Sequence, residues 1–246
     1  MPKQLGVDEG GGVAWLTFDN VARHNALTIA MCQSLLGELE RLAADVEAHV
    51  VVLRGAGDEA FMSGADIAEQ DDPAAPEAIT ALYAALAAFP KPVIAMVDGF
   101  CLGGGLATAL EADLRIAAHG SRFGIPAARL GVGYPRDGVQ RLVALVGPAV
   151  AADILYTGRQ MPAEDALRVG LIQELLPRER LEERVAEVAA TIAGNAPLTI
   201  RAAKAAIRGA DPDVVARLVA ECRASEDLVE GRRAFFEKRP PRFRGR

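Results

Sequence analysis

The stretch Phe100-Cys101-Leu102-Gly103-Gly104-Gly105-Leu106-Ala107 constrains the fold more than any other part of this chain. It follows Pro92-Val93-Ile94-Ala95-Met96-Val97, a continuous apolar run that reads as a buried strand, and it leads into a helix predicted over about Gly104 to Ala112. Three glycines at a strand-to-helix junction let backbone approach closely, and the first amides of a helix are unpaired donors. Those amides and the positive end of the helix dipole favour a developing negative charge. Two readings follow: an oxyanion hole, or a tight turn that packs a helix on a sheet.

Phe61-Met62-Ser63-Gly64-Ala65-Asp66-Ile67 repeats the arrangement after a second buried-looking strand, Val50-Val51-Val52-Leu53-Arg54-Gly55. Two such donors on neighbouring parallel strands would grip one carbonyl oxygen from two sides. With both stretches in view, the sequence resembles the crotonase (enoyl-CoA hydratase/isomerase) superfamily. The resemblance rests on Asn25-Ala26-Leu27, Ser63 to Ile67, Lys91 to Ala95, the triple glycine with Asp113, Gln140-Arg141-Leu142, Thr157-Gly158, Ala166 to Leu171 and Phe235-Phe236-Glu237-Lys238-Arg239, in family order over almost the whole chain.

The 246 residues, half of them apolar, suit one α/β domain with a sizeable core. A net charge of −6 with interspersed signs gives no reason to expect nucleic acid as a partner. Lys238, Arg239, Arg242, Arg244 and Arg246 form the one basic concentration, read as a solvated tail or as a binder of cofactor phosphates. Three widely spaced cysteines imply neither a disulfide framework nor a metal knuckle: Cys32 and Cys222 read as core, and Cys101 has no nearby histidine to activate it. His24, His49 and His119 show no ligand spacing, so no metal is expected. Neither a signal segment nor an apolar run of membrane-span length is apparent, which points to the cytoplasm and away from a membrane.

Val13 to Phe18 reads as a strand, and Thr28 as the cap of a helix carrying Met31, Leu35, Leu39, Leu42 and Val46. Asp71 to Pro76 reads as a mobile loop before a helix over Glu77–Phe89, and the strand–helix alternation through Ala117 argues for a parallel sheet with crossover helices. Asp137-Gly138-Val139-Gln140 has capping-box spacing, so Asp137 is read as a helix cap before it is read as an acid. Pro148 and Pro162 each open a further helix, and Leu181–Ala193, Pro197–Arg208 and Asp213–Phe236 make the last third helical.

The resemblance implies a spiral of ββα units over 1–190 and a C-terminal helical region, 191–246, that makes trimers or dimers of trimers. It implies an acyl-CoA thioester as ligand, with coenzyme A part of the substrate and no separate cofactor. The Ala65 and Gly104 amides, beside Gly64 and Gly103, would hold the thioester oxygen. Leu27, Asp66 and Ile67 would line the nucleotide and pantetheine path, Ala107, Ala127 and Leu130 the acyl pocket. Phe235 and Lys238 fall in a helix that often touches the neighbouring subunit's CoA. Arg23 and His24 are phosphate candidates or ordinary surface.

The family's hydratases place one glutamate two residues after the triple glycine and another after the proline of a Phe-x-x-Pro-Glu piece. Here those places hold Ala107 and Ala127. A methyl group cannot position or deprotonate water, and each such group is typically worth about 10²–10⁴-fold, so weak hydration is expected. Glu111 lies one turn beyond Ala107 but points too far along the helix to substitute, and is read as an interface group or the ion-pair partner of Arg115. Arg129 and Arg136 flank the pocket loop. Tyr134, in Gly131-Val132-Gly133-Tyr134, aligns with the active-site tyrosine of methylmalonyl-CoA decarboxylases in the superfamily. The expectation is an enzyme acting through an enolate, with a Tyr134-dependent decarboxylase or lyase and a non-catalytic acyl-CoA binder as alternatives. Extra volume beside the two alanines suggests a bulky or branched acyl group.

Overall fold

In the computed structural model, which describes residues 5–246, the chain begins with an antiparallel hairpin of β1 (Leu5–Gly10) and β2 (Val13–Phe18). Gly11 and Gly12 turn it at positive φ, where glycine carries no steric penalty. Helix α1 (Ile29–Ala44) follows, capped by Thr28, whose Oγ1 accepts the Met31 amide at 3.1 Å. Met31, Leu35, Leu39 and Leu42 form its buried stripe as predicted, but the helix stops at Ala44 and Val46 is exposed.

Three units then repeat one pattern: a long strand, a short strand and a helix. They are β3 (Val50–Gly55), β4 (Ala60–Met62) and α2 (Ala75–Ala88); β5 (Val93–Val97), β6 (Phe100–Leu102) and α3 (Gly104–Glu111); β7 (Leu114–Ala118), β8 (Arg122–Gly124), α4 (Ala127–Leu130) and α5 (Arg136–Thr157). The long strands join a sheet of order β1-β2-β3-β5-β7-β10, and the short ones a second sheet of order β4-β6-β8-β9, where β9 is Met161–Pro162 and β10 Glu174–Leu176. The chain thus climbs as a spiral of ββα turns, with α6 (Ala163–Arg168), α7 (Arg178–Ala193), α8 (Pro197–Ile207), α9 (Pro212–Ala224) and α10 (Glu226–Glu237) completing it.

The strands of the larger sheet are apolar throughout because both faces are covered. Val51, Leu53, Val93, Ala95 and Val97 face the core shared with α1 and α2. The alternate residues Val50, Val52, Ile94 and Met96 pack against Leu181, Val185 and Ala189 of α7. The second sheet closes on this core only because glycine stands at its corners. A Cβ on Gly105 would lie 2.1 Å from the Met62 carbonyl oxygen.

Several expectations are corrected. Helix α2 begins at Ala75, so part of the segment read as a loop is helical. Asp137 is not a cap: Pro135 is the N-cap of α5, and the Asp137 side chain is exposed in the first turn. By length and composition α5 is apolar enough to cross a membrane, against the expectation of no such run. However, Gly147 at φ 76°, ψ 164° breaks it just before Pro148, and Leu142, Ala151 and Ile154 pack into the core. The helix expected over Asp213–Phe236 is split at Ser225, whose extended backbone (φ −77°, ψ 153°) ends α9 and whose Oγ accepts the Leu228 amide to start α10.

Two changes test these constraints in urea unfolding. Gly105→Ala is expected to cost at least about 1–3 kcal/mol by overpacking against Met62. Ser225→Ala is expected to cost about 1 kcal/mol through loss of the α10 cap.

Candidate active site

Strands β4 and β6 are parallel neighbours, pairing Ala60 with Phe100 and Met62 with Cys101. They deliver Gly64-Ala65 and Gly103-Gly104 side by side, where a Cβ on Gly104 would lie 3.2 Å from the Ala65 nitrogen and one on Gly64 3.6 Å from the Gly104 nitrogen. The peptide planes fix where these amides point. The Gly64 carbonyl accepts the Leu27 amide at 2.8 Å, and the Gly103 carbonyl accepts the Ala107 amide at 3.0 Å. In a trans peptide the N–H opposes the C=O, so Ala65 N–H and Gly104 N–H are turned the other way. Neither has an acceptor among the described residues. Gly103 achieves this at φ 52°, ψ −118°, and Gly104 opens α3, adding the helix's positive end.

The amides edge a cleft of about 490 Å³. Its lining includes the predicted Leu27, Gly64, Ala65, Asp66 and Ile67 from one side and Gly103, Gly104, Ala127, Leu130 and Tyr134 from the other. Ile67 and Leu130 are exposed at its mouth. Ala107 is buried on α3 and is not part of the lining. Ala127 opens α4 and puts a methyl group there.

The cleft's carboxylates are Asp66 and Glu69, and both are committed. Asp66 pairs with Arg23 and accepts the Ala68 amide, while Glu69 accepts the Ile29 amide at 2.6 Å as a second cap of α1. Glu69 went unread in the sequence because nothing local signals a partner forty residues upstream. Its charge reinforces burial in pushing the Cys32 thiol up to about 12. Arg23 is thus an ion-pair partner, and His24 sits 3.0 Å from Glu59. Burial holds Cys101 protonated as well.

Tyr134 packs on Gly138, where a Cβ would lie 2.8 Å from its ring. Its hydroxyl is buried and is the one buried side-chain polar atom among the described residues with no hydrogen-bond partner. Burial raises its pKa, with Cys101 and Glu111 adding to the effect, so the phenol stays neutral. Tyr83 of α2, also unread in the sequence, donates to the Gly104 carbonyl at 3.2 Å. Only its place on an otherwise alanine- and leucine-rich helix sets it apart in the sequence.

Glu111 is buried but does not pair with Arg115. It meets Arg141 at 3.0 Å and Arg208 at 3.5 Å, while Arg115 turns to the carbonyls of Ala112 and Leu171. Phe235 and Lys238 do not line this chain's cleft. Phe235 is 79 % exposed on α10 beside an apolar groove of about 820 Å³ formed with α8 and α9. The basic tail is not simply solvated. It folds back so that Arg239 pairs with Glu230 and Glu237, Arg246 pairs with Glu226, and the buried Asp227 accepts the Arg244 and Gly245 amides.

The family model for Enoyl-CoA hydratase/isomerase matches residues 8–246. The short-chain-enoyl-CoA hydratase of Clostridium acetobutylicum is 35 % identical over 95 % of this chain and 94 % of its own. The 2,3-dehydroadipyl-CoA hydratase of Escherichia coli is 36 % identical over 95 % of this chain and 96 % of its own. Among solved structures, an enoyl-CoA hydratase/carnithine racemase from Magnetospirillum magneticum superposes with a TM-score of 0.94 at 33 % identity, covering 100 % of this chain and 97 % of the other. In sequence and in fold, the chain belongs to the enoyl-CoA hydratase/isomerase family of the crotonase superfamily.

Proposed function

We propose that this protein is an enzyme that binds an acyl-CoA thioester in the cleft and stabilises its enolate with the Ala65 and Gly104 amides. The observation that carries the reading is a pair of neighbouring amides with no acceptor among the described residues, one of them on a helix N-terminus. Two curated relatives are named as hydratases of CoA thioesters, which supports the ligand class. Hydration itself would be weak. Ala107 and Ala127 supply no acid or base, and the cleft's own carboxylates, Asp66 and Glu69, are held by Arg23 and Ile29.

The second reading is a decarboxylase-like lyase, favoured by the unpartnered Tyr134 hydroxyl. Among the described residues no basic side chain lines the cleft, so a substrate carboxylate would sit there without a cation from them. Its loss as CO₂ would pass the carbon–carbon bonding pair to the α-carbon and thioester carbonyl. The resulting enolate would rest on the two amides, with Tyr134 orienting the departing group, and a proton would complete the product. A homotrimer or dimer of trimers fits the exposed Phe235 and Phe236 and would bring Phe235 and Lys238 to a neighbour's CoA. Coenzyme A enters as part of the substrate, and the cytoplasm is the proposed compartment.

Incubating the protein with enoyl, malonyl-type and saturated acyl-CoAs in deuterated water, read by mass spectrometry, tests the reaction. Product or α-deuterium supports enolate chemistry and names it, whereas binding without either favours a non-catalytic binder. Efficient hydration of crotonyl-CoA would contradict the assignment of Ala107 and Ala127. Gly104→Ala places a methyl group 3.2 Å from the Ala65 nitrogen and is expected to cut turnover about 10²–10³-fold while the fold is retained. Tyr134→Phe is expected to abolish decarboxylation with CoA affinity intact, and unchanged turnover would remove the tyrosine from the mechanism.

A further inference from the structure

Helix α3 presents its N-terminal amide to the cleft, and its other end is enclosed by cations. Arg208, at the end of α8, donates through Nη2 to the Glu111 carbonyl at 2.6 Å and to Asp113 Oδ1 at 2.7 Å. Lys204, one turn earlier, donates to Asp113 Oδ2 at 2.8 Å and to the Lys91 carbonyl at 2.6 Å. Arg115 donates to the Ala112 and Ala109 carbonyls at 2.8 and 3.3 Å, and Arg141 meets Glu111 at 3.0 Å. Four cations therefore face two carboxylates at the C-terminal end of α3, leaving positive charge in excess.

Glue alone does not explain this composition. Buried ion pairs are generally no more stabilising than apolar packing of the same shape. The Lys204 and Arg208 side chains are only 9 % and 13 % exposed, so their desolvation is substantial. The excess sits where it complements the helix dipole, with hydrogen bonds to the final carbonyls that an apolar side chain could not make. The helix is eight residues long, about 12 Å at 1.5 Å per residue. A rotation or slip at one end is therefore felt at the Gly104 amide at the other.

We infer that Lys204 of α8 and Arg208 at its end are positioning residues for the oxyanion site: Arg208 locks the C-terminal end of α3 directly, Lys204 holds it through Asp113 just beyond that end, and together they aim the Gly104 N–H. The inference rests on the oxyanion reading of Ala65 and Gly104. It makes the cleft's electrostatics depend on a helix that does not touch the cleft.

The test uses the full-length protein and crotonyl-CoA carrying ¹³C at the thioester carbonyl. The carbonyl stretch of the bound thioester, in isotope-edited infrared spectra, moves to lower frequency in proportion to the polarisation the amides impose. In the unaltered protein a clear downshift is expected. Arg208→Met and Lys204→Met are each expected to lose about half of it while the dissociation constant changes less than about threefold, the pattern of a group that acts on the developing charge rather than on binding. If the methionine variants fail to fold, Arg208→Lys, which keeps the charge but loses the forked contact to Glu111 and Asp113, is read instead and should lose part of the shift. Folded variants with the full downshift would overturn the inference and leave the oxyanion site standing. No downshift in the unaltered protein would remove the oxyanion reading, and this inference with it.

Discussion

Everything at the cleft depends on two carbonyls that face away from it. The Gly64 oxygen is taken by the Leu27 amide and the Gly103 oxygen by the Ala107 amide. Each bond fixes a peptide plane, and the opposite edge of that plane carries the N–H left for a ligand. The arrangement needs two chain segments almost in contact, which side chains would forbid. Gly103 holds a backbone of φ 52° that an L side chain rarely adopts, and a Cβ on Gly105 would lie 2.1 Å from the Met62 carbonyl oxygen. Two sheets are therefore built so that their short strands can end beside each other, and the glycines are the condition for that closeness.

The polar side chains near the amides are mostly engaged in holding the scaffold. Thr108 and Tyr83 both donate to the Gly104 carbonyl, Asp66 caps a 3₁₀ turn and holds Arg23, and Glu69 caps α1. A carboxylate that accepts a backbone amide and closes a helix end is poorly placed to take a proton from a substrate, because protonating it would cost the cap. Among the described residues, the Ala65 and Gly104 amides have no acceptor and the neutral hydroxyl of Tyr134 has no hydrogen-bond partner.

Much of the fold was legible in the sequence. The triple glycine after a buried strand located the start of α3, and the apolar runs at Val50 and Val93 located the sheet, because both signals are local. The short strands β4, β6 and β8 span three residues each, too few to show a period, and exist through pairing with one another. The break at Ser225 was hidden because apolar spacing continues across it, while a serine that caps one helix and ends another looks like any polar helical position. Glu111 was read as an interface group or the partner of Arg115, but its actual partners Arg141 and Arg208 lie thirty and ninety-seven residues away, whereas Arg115 was merely close in sequence. Asn25 and Asp113 belonged to the family resemblance without an evident task. Asn25 ties its loop to the carbonyls of Ala56 and Ala60, and Asp113 anchors the Val93 amide, Lys204 and Arg208.

A site made of backbone separates ligand from reaction. Replacing the side chain of Ala65 leaves its amide in place, so the proposed grip on a thioester oxygen would survive sequence change that acid–base groups would not. The positions that would choose among hydration, isomerisation and carbon–carbon cleavage are the side chains facing the acyl group, and here Ala127 brings only volume to them while Tyr134 brings one hydroxyl. The same reasoning explains why the fold invests buried charge at the far end of α3. If the chemistry rests on the direction of one N–H, as proposed, the groups that hold the helix carrying it contribute to that chemistry although they never meet the substrate.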